Sequence, residues 1–126
     1  MLPRPVLPLA CAAALVLAAG CGKSDPDAAI LTPAQAAKSL DDHFAEAPPE
    51  VRQTVRVASE ALREGNAEKA VVALQTARSA PTLTLDQGLA VHHSLVALEH
   101  QLIAAADAGD ENAKRAYDLL KRMKRN

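Results

Sequence analysis

The chain predicts an all-α fold, a small bundle of about five helices joined as antiparallel hairpins. Three observations carry that expectation. Alanine and leucine, both strong helix formers, dominate a chain that is 49% hydrophobic but only 2% aromatic. Between residues 33 and 125 the apolar residues recur every three or four positions, the period of a helix face. Starters and stoppers punctuate the same stretch: Thr32, Thr84 and Asp110 stand at expected beginnings, and Pro48-Pro49, Gly65, Pro81 and Gly109 at expected ends.

Thr32-Pro33-Ala34-Gln35 opens the first helix. Thr32 caps it, Pro33 suits the first helical position, and Gln35 reaches back to the cap residue. It should run to about Ala45, where Pro48-Pro49 breaks it. The second helix is expected over Pro49 to Glu64, with Val51, Val55, Ala58 and Leu62 on one face. Gly65 ends it where a left-handed residue is needed. Asn66 then caps the third helix, which buries Ala70, Val71, Leu74 and Ala77 and closes at Pro81. So short a break makes the two helices antiparallel neighbours.

Thr84-Leu85-Asp86-Gln87 repeats the capping pattern and opens the longest helix, ending near Ala108-Gly109. Val91, Leu95, Leu98, Leu102 and Ala105 make one stripe on it. Leu85, Leu89, Val96 and Ile103 make another, roughly 130° away at about 100° per residue. Two stripes predict packing from two directions. This helix is therefore expected at the centre, with the second and third helices on one side and the last on another. Asp110 caps the last helix, which carries Tyr117, Leu120 and Met123 inward. Lys121, Arg122, Lys124 and Arg125 gather in its final turns, where cations complement the helix dipole.

Ahead of the helices the chain changes character. Arg4 supplies a positive start, and Val6 to Ala19 an apolar run interrupted only by Pro8. This is the pattern of a secretory signal, and the run is shorter than the roughly 20 residues of a membrane span. It leads to Leu17-Ala18-Ala19-Gly20-Cys21, which resembles the lipobox of bacterial lipoproteins, with Ala18 where Leu is most frequent. Cys11, in Leu9-Ala10-Cys11, has too little apolar chain before it to serve instead. The resemblance implies cleavage after Gly20, a diacylglycerol thioether on Cys21 and an acylated (palmitate-type) amino terminus. Two or more acyl chains are enough for stable anchoring. Gly22, rather than Asp, resembles lipoproteins sent on to an outer membrane. The expected organisation is thus a signal peptide over 1–20, a lipidated Cys21 with a flexible tether over 21–31, and a helical domain over 32–126.

Composition excludes several functions. The 126 residues carry a formal net charge of −1, whereas nucleic acid asks for a clearly basic surface. With a single Phe, a single Tyr and no Trp, stacking platforms for bases or sugars are missing. Of the two cysteines, Cys11 leaves with the leader and Cys21 carries lipid. Neither a disulfide nor a cysteine zinc site is then expected.

The residues of Val57-Ala58 through Pro81, with Ala58, Gly65, Ala70 and Leu74 at small, turn, small and large positions, resemble one tetratricopeptide-type helical hairpin. Leu74 stands where that family has an aromatic residue, and Pro81 falls one residue early. No second copy follows at the usual ~34-residue period. The resemblance implies a protein-binding scaffold. No groove residue carries over, because those positions vary with the ligand.

Candidate chemistry is sparse. His92, His93, His100 and Glu99 share the long helix. His93 and His100 lie two turns apart, about 10 Å along the axis. A zinc or copper site would need a further ligand from another helix. His93-Ser94 are adjacent and do not face one another. No strained nucleophile elbow and no phosphate-cradling glycine loop is present. Glu60, Glu64 and Glu68 read as a solvated face, and the basic tail from Lys121 to Arg125 could meet anionic lipid headgroups.

The sequence therefore points away from an enzyme and from any cofactor. It points to a lipid-anchored envelope lipoprotein that serves as a protein–protein interaction module or accessory subunit, on the outer membrane facing the periplasm. Its expected contacts are membrane lipid through acylated Cys21 and an envelope protein. The alternatives are a periplasmic ligand- or metal-binding helical bundle using His92, Glu99 and His100, and an envelope structural protein that self-associates through its alanine-rich faces.

Overall fold

The computed structural model describes residues 30–126. The leader, Cys21 and the tether up to residue 29 lie outside the described residues. Those described fold as an all-α bundle of five helices: α1 (Pro33–His43), α2 (Pro49–Glu64), α3 (Ala67–Arg78), α4 (Leu85–Asp107) and α5 (Glu111–Arg125).

The helix ends are built by the residues that announce them. Gln35 N–H donates to Thr32 Oγ1 at 3.2 Å, and Thr32 N–H donates to Gln35 Oε1 at 2.9 Å. The same reciprocal pair recurs at Thr84 and Gln87, at 3.2 and 3.1 Å. Each pair satisfies two amides that a helix start otherwise leaves open. Gln87 also reaches outside its own helix. Its Nε2 donates to the His43 carbonyl at 3.2 Å and ties the start of α4 to the end of α1. Helix α1 stops at His43, slightly short of Ala45, and Phe44 turns into the core.

Two short breaks share one design. Gly65 has φ 71° and Gly109 φ 95°. At the first, Asn66 N–H donates to the Ala61 carbonyl at 2.9 Å and Gly65 N–H to Leu62 at 3.4 Å. At the second, Asp110 N–H donates to Ala105 and Gly109 N–H to Ala106, both at 3.0 Å. This paired pattern closes a helix through one left-handed residue, which glycine adopts without steric cost. The next residue, Asn66 or Asp110, then caps the following helix with its side chain.

Consecutive helices pack pairwise, α1 on α2, α2 on α3 and α3 on α4, and α1 closes the ring against α4. Helix α5 lies on both α3 and α4. Helices α2 and α4 are diagonal across the core and do not pack as neighbours, which corrects the expected placement of α2 beside the long helix. The place is taken by α1, whose Ala36, Ala37 and Leu40 are fully buried. Leu31, expected in the tether, is half-buried against the core.

The second apolar stripe of α4 is also corrected. Val91, Leu95, Leu98 and Leu102 are buried as expected, but Leu85, Leu89 and Ile103 are exposed. The other buried side of α4 is formed by Ala90, Ser94 and Ala97 instead. Small side chains let neighbouring helices approach, and the large ones are left facing outward. The same preference runs through the bundle, because twelve of the twenty-three buried hydrophobic residues are alanine. On α5 it is Ala113, Ala116 and Leu120 that are buried, with Tyr117 and Met123 only partly covered.

Candidate functional site

Helix α3 is flanked by α2 and α5, and its outer side forms the floor of a groove of about 550 Å³. Val72 and Ala73 lie on the floor, with Lys69 and Thr76 at the rim. Gln53, Thr54 and Val57 come from α2, and Leu119 from α5. Val72 is 45% exposed, although it sits beside the fully buried Val71. The helical period explains the difference: Val71 and Leu74 share the inward face, and Val72 is rotated outward by about 100°.

The groove is apolar at its floor and polar at its rim. Thr54 and Thr76 use their hydroxyls on the carbonyls of Glu50 and Val72, at 3.2 and 2.8 Å. Glu68 is paired with Arg115 Nε at 3.4 Å, while Lys69 has no ion-pair partner among the described residues. Such a surface can seat one or two apolar side chains of a partner and orient them through its rim. Sequence periodicity identifies the buried face of α3 but not this outward one, because its walls come from two other helices.

The expected chemical residues are not gathered. His92, His93 and His100 are exposed on α4, and the rings of His92 and His93 are 6.0 Å apart and tilted by 53°. Glu99 Oε2 accepts from Lys124 Nζ at 2.5 Å, which ties α4 to α5. Among the described residues, no group of three or more His, Cys, Asp or Glu side chains stands close enough to hold a metal ion. Cys21 lies outside the described residues. Of the glutamates read as a solvated face, Glu60 pairs with Arg56 and Glu68 with Arg115. In the basic tail, Lys121 pairs with Asp118 at 2.8 Å and stands 4.7 Å from the centre of the Tyr117 ring.

One polar cluster carries no signature in the sequence. Asp41 on α1 accepts from Ser59 Oγ and from Arg63 on α2, each at 2.6 Å. Ser59 is fully buried, and its hydroxyl also lies 3.0 Å from the Val55 carbonyl. Burial of Asp41 would raise its pKa, but the hydrogen bonds from Ser59 and Arg63 and the charges of Arg63 and Arg56 outweigh it. The carboxyl is held below its usual 3.8. A depressed pKa contributes stability that is present above the unfolded value and lost as pH falls through the folded value. Asp41→Asn should therefore lower the unfolding midpoint near neutral pH and converge on the parent protein under acid. The side chain is 41% exposed, so the neutral-pH loss should not exceed about 1 kcal/mol. Denaturant unfolding of both proteins, from about pH 2 to about pH 7, checks this. A gap that stays constant with pH would remove the charge from the explanation.

Family models, curated proteins and solved structures were compared with the chain, and none matches it.

Proposed function

We propose that this protein is a bacterial envelope lipoprotein, held on the membrane by acyl chains on Cys21, whose helical domain is a protein–protein interaction module or accessory subunit. The leader and its Leu17-to-Cys21 segment support the anchoring, and Gly22 supports an outer-membrane, periplasm-facing location. The antiparallel α2–α3 pair, with its tetratricopeptide-like residues, supports a scaffold role. The observation that carries the reading is the groove over Val72, an apolar floor between two helical walls in a domain without gathered catalytic groups among the described residues. Its partner is an envelope protein, and its action is binding without chemistry.

In-cell crosslinking of the tagged, lipidated chain, followed by mass spectrometry, tests this. One dominant envelope protein is expected, captured at least tenfold less by Val72→Arg. Val72 is exposed, so the change should leave the helical content intact. Equal capture by parent and variant would take the groove out of the reading. Absence of any specific envelope partner would overturn the accessory-subunit role itself.

A further inference from the structure

Three of the four large hydrophobic residues exposed among the described residues lie on one face of α4: Leu85 at 79%, Leu89 at 44% and Ile103 at 38%. Half-buried Val96 lies between them. With His92 and Glu99 they follow one another at intervals of four, three, four, three and four residues. That alternation is the a/d seam of a coiled coil. At about 100° per residue the six positions fall within about 80° of arc. At about 1.5 Å per residue they make a straight stripe about 27 Å long. The stripe is turned away from the buried Val91 and Leu98, and Leu85, Leu89 and Ile103 stay uncovered by the other described helices.

We infer that this face pairs with the same face of a second copy, the two α4 helices running antiparallel about a two-fold axis level with Ser94. The polar side chains along the stripe and at its flank choose both occupant and direction. In a parallel pair each position meets itself, so His92 faces His92 and Glu99 faces Glu99. In the antiparallel pair Leu85 meets Ile103 of the second copy, and Leu89 meets the aliphatic stem of its Glu99. His92 packs on the other Val96 with that Glu99 in the next layer, and Asp86 at the flank faces the other His100. Acid meets base in both halves, which is the self-complementarity a two-fold interface requires. Lys124 of the same copy holds each Glu99 carboxylate from the α5 side. A stripe of this length and about 10 Å wide is smaller than a standard stable interface, and the dimer is therefore weak and favoured by high local concentration. The seam shares no residue with the groove over Val72, and its failure would leave the groove untouched.

The test uses the full chain with a photo-crosslinking residue at position 85, irradiated in cells. The expected product is an adduct of twice the chain mass, with position 85 joined near Ile103 of the other copy. Leu89→Asp, which would face Glu99 of the other copy, and separately Leu85→Asp with the probe moved to position 103, should each reduce it at least tenfold. Both substituted positions are exposed, and unchanged circular dichroism confirms the fold. A link from position 85 to position 85 would overturn the antiparallel pairing. Adducts with lipid alone, with another protein alone, or none at all would overturn self-association through α4, as would an adduct insensitive to both substitutions.

Discussion

Leu74→Ala should lower the free energy of unfolding by about 3 kcal/mol, within the 2–5 kcal/mol range of buried leucine truncations. Leu74 is fully buried on α3, the helix that packs on α2, α4 and α5 together. Loss of three methyl-sized groups removes their transfer energy, and the void adds to it. The neighbouring buried positions of α3 are mostly alanine, namely Ala70, Ala73 and Ala77. They have no longer side chain with which to fill the space. A domain of this size has about 5–15 kcal/mol in total, so the loss is a large fraction. At about 4–8 °C per kcal/mol for a domain of this length, the thermal midpoint should fall by about 15 °C. Thermal unfolding followed by far-ultraviolet circular dichroism reads this directly. A loss below about 1 kcal/mol would mean that α3 is not the packed centre of the bundle.

Cys21→Ala should move the protein wholly from the membrane fraction to the soluble fraction. In the proposed reading the acyl chains are the anchor, each buried methylene contributing about 0.8 kcal/mol. No helix among the described residues is long and apolar enough to cross a membrane. Without the thiol to carry the thioether, the variant should also take up no fatty acid, the second expected sign. Fractionation and immunoblotting, with incorporation of a labelled fatty acid by the parent and not the variant, check both. A variant that remains membrane-bound and still incorporates the label would end the lipoprotein reading.

Much of the fold is legible in the sequence because helix termini are local. Thr32 with Gln35, Thr84 with Gln87, Gly65 with Asn66 and Gly109 with Asp110 satisfy backbone groups within a few residues, so their spacing alone reveals them. Pairing between helices is not local in that sense. Periodicity finds both apolar stripes of α4 but does not say which is covered. Ala90, Ser94 and Ala97 look neutral in sequence, yet close approach by a neighbouring helix makes the small side the buried one. The groove is hidden for the same reason. Val72 reads as a second valine beside a core valine, and nothing near it in sequence announces Leu119. The histidines of α4 are visible as residue types, but Glu99 is drawn to Lys124, and among the described residues no group of three metal-ligating side chains comes together.

The closing of the ring also orders events in time. Pairs α1–α2, α2–α3, α3–α4 and α4–α5 join helices adjacent in sequence, contacts that form quickly because little chain is looped between them. The α1–α4 seam is different, since its hydrogen bond from Gln87 to His43 spans 44 residues. Until residues 85–107 have been made, one side of α1, with Ala36, Ala37 and Leu40, has no α4 surface to cover it. Whatever the order in which the other helices meet, the ring is closed only when α4 docks on α1.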